Sequence, residues 1–356
     1  MIIARVMIVL GWITIFACFL ASSHLSWLVT DAKTISVFCW SDFFDQQKLN
    51  EFEEQTGIHV QLNFYETNEE LLAKLSMTGG QGYDIIIPTD FAVEMLIKQG
   101  LAKKMDRARL SCFDRLHPAL LGHYFDPHNE YSIPILWSVY GLGIDRNYFK
   151  QMPEPSWRLI FEPEQPYTVI MSEEAHEVVF ISSQYLYYSV NNITSEKLAR
   201  IYELAHAQKK WVEAYNDNRT DYFVGSGICP VAASLSADII RMARQLKDKS
   251  TLDFIVPREG GFVIIDNVLI TKSSTKDDLV YQLIDFLYQE EVIDYHVKRF
   301  PFMPVTRQSL KVLEEEHILP SFSIEAILKN FNSLSFFKNT VNPMDEHKLW
   351  VKIRAQ

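Results

Sequence analysis

Between residues 34 and 100 the chain repeats one pattern three times: an apolar run that ends in polar residues, then a stretch of helical period closed by glycine. Strand and helix alternating over short connections require right-handed crossovers and a mainly parallel sheet covered by helices. The first run, TISVFCWSDF at residues 34–43, alternates as far as Trp40 and then delivers Ser41, Asp42 and Phe43. DQQKLNEFEEQTG (45–57) predicts a helix, with Asp45 as N-cap, Leu49 and Phe52 on one face and Gly57 as the stop. IHVQLNFYE (58–66) has the period of two of a strand, and TNEELLAKLSM (67–77) resumes helical spacing after a Thr or Asn cap. YDIIIPT (83–89) is a continuous apolar run of the buried parallel type, and FAVEMLIKQG (91–100) predicts a helix stopped by Gly100.

Open α/β sheets hold ligands beyond the C-terminal ends of their strands. Two of these strands end in the same chemistry, Ser41, Asp42 and Phe43 on the first and Thr89, Asp90 and Phe91 on the third. A ring face beside a carboxylate suits a cation; helix capping is the competing role for each aspartate.

Residues 107–130 are irregular and read as a surface connection, after which YSIPILWSVYGLGID (131–145) predicts a long strand leaving the first lobe. On it, Trp137 and Tyr140 either line a cleft between lobes or fill the core. The second lobe opens with a proline-rich turn (152–166) and the strand YTVIM (167–171). Ser172 or Glu173 then caps a helix on which Glu174 and Glu177 lie one turn apart, a like-charged pair that a cation would relieve and that a helix dipole would also favour. His176, between them, is a solvated helical histidine or a general base. Residues 195–212 and 235–247 are helical by period, 250–274 give two strands about a Gly-Gly turn, and 276–300 give a helix pair. Asp266 sits inside the apolar run FVIIDNVLI, where a charge costs several kcal/mol unless it is paired, hydrogen-bonded or at a cleft.

The length of 356 residues, 48% hydrophobic, supports two domains. With 34 Lys plus Arg against 45 Asp plus Glu, the net charge of -11 argues against a nucleic-acid partner. Residues 1–30 carry one charge, Arg5, and an apolar core, which predicts a secretory signal and a periplasmic protein. Cys18 lies in a loose lipoprotein-signal context, so a membrane tether through Cys18 or through the apolar segment itself is the alternative. The remaining cysteines, Cys39, Cys112 and Cys229, allow at most one disulfide, and no CxxC pair suggests zinc. No phosphate loop, nucleophile elbow, HExxH or dinucleotide fingerprint occurs. The expectation is a binding protein with no cofactor and no metal; a hydrolase using two carboxylates is the chemical alternative. Carboxylates recur beside aromatics, as a polyamine requires: acids at its ammonium ends, and ring faces along its methylenes adding about 0.5–2 kcal/mol each. Asp42, Asp90, Glu174, Glu177 and Asp266 supply the anions.

WSDF, EFEEQTGIHV, YETNEELLAKL, YDIIIPTDFAVEMLIKQGL, YSIPILW and GGFVIIDNVLI follow one another in an order that resembles the periplasmic spermidine/putrescine-binding proteins of polyamine ABC importers. The resemblance implies the two-lobed type II periplasmic-binding-protein fold, α/β in each lobe with a hinge between them. Residues 34–138 plus 266–305 would form lobe 1, and 139–265 plus 306–356 lobe 2. It implies a polyamine or related small cation held between the lobes and delivered to an inner-membrane ABC permease. Carried over by position, the ligand contacts are Trp40, Ser41 and Asp42, with Phe43 where a tyrosine is usual, and Thr89, Asp90 and Phe91. Glu174, in place of an aspartate, Glu177 and Asp266 continue the carried-over set, and Trp137 is added as a contact from its place on the long strand rather than from the resemblance. Two further family tryptophans fall on Ser236 and Ile264, and a late tyrosine on Phe300 or Phe302. A different amine, an amino acid, or a role as a ligand sensor fits the same fold.

Overall fold

A computed structural model describes residues 33–355 apart from 42, 150, 163–166, 217–218, 301 and 339–340. The expected signal, Cys18 and Asp42 therefore lie outside the described residues. The three repeated units form as their caps dictate. Strand β1 (Thr34–Trp40) leads to α1 (Gln46–Thr56), where the Asp45 side chain accepts from the Gln47 amide and Gly57 ends the helix at φ 69°. Strand β2 (His59–Tyr65) leads to α2 (Asn68–Thr78), capped by Thr67 through the Glu70 amide and ended by Gly79. The third strand is shorter than expected, β3 (Ile85–Ile86), followed by α3 (Asp90–Lys98). Its backbone still bonds to β1 on either side, Asp84 N–H to Ser36 O and Ile87 N–H to Phe38 O, but Pro88 has no N–H with which to extend the ladder.

The further strands are β4 (Ala102–Lys103), β5 (Ser132–Asp145), β6 (Val169–Met171), β7 (Val212–Tyr215), β8 (Val231–Leu235), β9 (Leu252–Ile255), β10 (Phe262–Thr271) and β11 (Ser335–Phe336). The longer helices after α3 are α4 (Ala175–Tyr187), α5 (Ser195–Gln208), α6 (Ser236–Gln245), α7 (Asp277–Leu287), α8 (Glu290–Arg299), α9 (Arg307–Glu315) and α10 (Pro343–Ala355). The sheet runs β2-β1-β3-β10-β5-β8-β6-β7, with β4 and β11 on β10 and β9 on β5. Both ends of this path are parallel, β2-β1-β3 and β8-β6-β7, and between them the antiparallel pair β10–β5 carries the sheet across.

Strand β5 is buried along its whole length. Gly141 is required there, because a Cβ at that position would stand 2.7 Å from the Ile255 carbonyl of β9. The register of β10 on β5 shifts between Asp266 and Asn267, the kind of irregularity that re-aims a side chain. Helix α4 starts later than the sequence suggests: Glu174 is its N-cap residue, and Ser172 Oγ instead accepts from the Glu174 amide at 3.0 Å. Cys39, Cys112 and Cys229 are free and buried.

Candidate functional site

Trp40 ends β1 in register with Tyr65, the last residue of β2, their rings 4.5 Å apart and tilted by 54°. The buried Tyr65 hydroxyl donates to the Ile87 carbonyl at 2.5 Å, which fixes the ends of β2 and β3 together. Two residues on, Thr89 forms an antiparallel bridge with Asp266 of β10, and its Oγ1 accepts from Asn68 Nδ2 at 2.8 Å. The C-terminal ends of three parallel strands, the first turns of α2 and α3, and the middle of β10 therefore meet at one edge.

Two buried carboxylates lie at that meeting point. Asp90, the first residue of α3, is 2% exposed; its Oδ2 accepts from the Ile265 amide at 3.0 Å and its Oδ1 from the Tyr124 hydroxyl at 3.1 Å. Asp266 is 6% exposed, and the Trp40 side chain favours its anion against the effect of burial. Its Oδ1 is buried with no hydrogen-bond partner among the described residues, and the same holds for Asn68 Oδ1.

Burial pushes both carboxyls up to about 7, with Asp90's charge pushing Asp266 further in the same direction. The donors on Asp90 oppose that rise and hold its anion, so Asp266 is the member of the pair that takes up a proton. A buried, undersupplied acceptor beside an indole is what an ammonium would complete.

Several expected contacts stand elsewhere. Phe43 is core, against Phe44 at 4.9 Å and Phe302 at 5.5 Å. Trp137 is 1% exposed and donates its indole N–H to the Pro304 carbonyl at 2.7 Å, which makes it a packing residue. Ser236 is fully buried: its Oγ lies 3.2 Å from Ser138 Oγ and accepts from the Val139 amide. Half-buried Ile264 pairs with the same Ser138 in the β10–β5 ladder. Ser41 is exposed and donates to Glu66 at 2.9 Å, Phe91 is half-buried in the first turn of α3, and Phe300 stacks on His296 at 5.9 Å.

Glu174, exposed at the cap of α4, has its carboxyl raised by desolvation, then by Glu69 and Glu173. Glu69 is the neighbour of Asn68 in α2, and its charge also reaches His176 and Glu346 of α10, whose carboxyl burial and Glu69 push up to about 7. Glu177 is half-buried in the first turn of α4. Carboxylates from α2, α4 and α10 thus act on one another, and Glu69 follows the Asn68 that donates to Thr89 beside Asp90. A separate groove of about 360 Å³, lined by residues such as Phe254, Phe322 and Ile327, contains no charged residue.

Tyr65, Asn68, Tyr124, Glu69 and Glu346 belong to the surroundings of the site without having been singled out in the sequence. Tyr65 and Asn68 flank the end of β2, where the strand-end rule applied to β1 and β3 would have found them. Tyr124 lies in the irregular stretch, where no period marks a side chain's direction.

Comparison with known proteins follows the same lines. Residues 81–323 match the family described as bacterial extracellular solute-binding protein. The spermidine/putrescine-binding periplasmic protein of Salmonella typhimurium is 28% identical over 275 residues, 77% of this chain and 76% of its own. The putrescine/cadaverine-binding protein of Pseudomonas aeruginosa is 27% identical over 343 residues, 92% of this chain and 95% of its own. Among solved structures, the spermidine/putrescine transporter substrate-binding protein PotD of Streptococcus pneumoniae superposes with a TM-score of 0.76 at 21% identity, covering 91% of this chain and 99% of its own. The TpPotD lipoprotein of Treponema pallidum gives 0.76 at 19%, covering 91% and 100%. The two parallel sheet ends joined by β10–β5, flanked by helices, are thus the periplasmic-binding-protein fold expected from the sequence.

Proposed function

The chain belongs to the bacterial extracellular solute-binding protein family, and from that premise we propose that it captures a small polyamine-class cation between two lobes and hands it to an ABC permease. The observation that carries this reading is Asp266 Oδ1, a buried carboxylate oxygen with no partner among the described residues, on a residue that Trp40 already engages. An ammonium there would supply the missing donor and rest against the indole. The acids of α2, α4 and α10 would meet the rest of the ligand. Relatives whose names state spermidine, putrescine or cadaverine binding support the same class. Binding without chemistry is part of the proposal, as is division at the expected boundaries into lobes hinged through β5 and β10.

A periplasmic location belongs to the same reading. No helix among the described residues is long and apolar enough to cross a membrane. The proposed tether, through Cys18 or the apolar segment of residues 1–30, lies outside the described residues.

Calorimetric titration with putrescine, spermidine and spermine tests the proposal. At least one should bind, and Asp266→Asn should weaken it by about tenfold or more, because the ammonium loses its buried counter-charge. Failure of all three to bind at millimolar concentration would sink it.

A further inference from the structure

The tail returns to the sheet just before α10. In β11, Ser335 and Phe336 run parallel to Phe262 and Val263 of β10. Side chains alternate along an extended segment, and the ring contacts follow that alternation. Phe336 packs on Tyr124, Phe125 and His123, whereas Phe337 stacks on Phe262 at 4.2 Å and meets Tyr140, Phe180 and His176.

Lys338 turns back to the Phe336 side: its Nζ stands 4.5 Å from the centre of the Tyr124 ring. Lys338 lies two residues past Phe336, the last paired residue of β11, and the ring that it covers is its link to the acid pair. The same Tyr124 donates its hydroxyl to Asp90. A half-buried ammonium therefore stands one side chain away from the buried acid pair. Among the described residues no carboxylate comes within ion-pair distance of it, and the ring face is its contact.

We propose that Lys338 is a resident cation of the cleft and limits how much positive charge a ligand can bring. This inference rests on the amine-binding reading of the site and deepens it. A fixed ammonium repels each ligand ammonium, and at an effective dielectric of about 20, near a protein surface, the repulsion is roughly four times its value in water. Tyr124 holds Lys338 in place by a cation–π contact that leaves its charge in play. A short diamine can seat one ammonium at Asp266 and turn the other toward Glu174 and Glu346. A triamine has to bring further charge past Lys338, so the cleft selects the shorter and less charged members of the series.

The test compares the full protein with Lys338→Gln and Lys338→Arg, titrated with butylamine, putrescine and spermidine. Removing the charge should tighten spermidine by about thirtyfold, putrescine by about tenfold and butylamine by about threefold, because each ligand ammonium adds its own repulsion. Lys338→Arg should track the parent, and added salt should compress the gradient. A uniform change across the three amines, or no change, overturns the charge filter while leaving the site intact, provided that Asp266→Asn still weakens binding by about tenfold or more. Binding of none of the three by either protein overturns the amine-site reading, and the filter falls with it. Matching thermal midpoints of the ligand-free proteins establish that Lys338→Gln is folded.

Discussion

Asp266 folds as a carboxyl with its proton affinity raised to about 7, from 3.8, because burial and the nearby Asp90 both penalise its anion. The folded state is then the better proton binder. This group's contribution to ligand-free stability is full below about pH 4 and lost as the pH climbs through about 7. Ligand affinity has the opposite sign, because an ammonium needs the anion while the amine itself stays protonated to about pH 10. Amine affinity should rise by about thirtyfold from pH 5.5 to pH 8, and near pH 6.5 binding should release protons, seen as a buffer-dependent heat in calorimetry. A flat profile would show that the ammonium sits on another acid. In the sequence Asp266 was legible because a charge in FVIIDNVLI needs a reason. Its pairing with Asp90 was not, since it depends on a strand and a helix separated by 175 positions along the chain, the separation of the Ile265–Asp90 contact.

The elements behave as their local rules require where a cap or a period speaks clearly. Asp45 with Gly57, and Thr67 with Gly79, delimit α1 and α2 as read. The rules fall short where tertiary contacts decide. The apolar run at 83–89 forms only two ladder residues, and the cap of α4 moves to Glu174 because the Ser172 hydroxyl turns to that residue's amide. Trp137 shows the same limit on β5: an aromatic in an apolar strand can face a cleft or the core, and its direction is set by Pro304 in a distant segment. Trp137→Ala should therefore act on stability, costing about 3–5 kcal/mol in urea unfolding. Amine affinity should change little in the protein that remains folded. A selective loss of affinity with unchanged stability would return Trp137 to the ligand wall.

At the scale of the molecule, Glu69 of α2, Glu174 at the start of α4 and Glu346 of α10 press like charges together. That repulsion opposes approach of the halves carrying them, and a cation between them would reverse it. Saturating amine should lower the radius of gyration in solution scattering. It should also raise the thermal midpoint by the mass-action amount, about 2.7 kcal/mol of added stability at a hundredfold excess over Kd. Stabilisation with no compaction would separate binding from closure. The sheet order has a further consequence, in time rather than in energy. Strand β10 lies between β3 and β5, so the N-terminal strands keep an open edge until residues 262–271 have been made. Pairing over so long a stretch of chain is slow. For a member of an extracellular family, that delay is an interval in which the polypeptide stays threadable, and the strand that completes the acid pair is also the one that ends it.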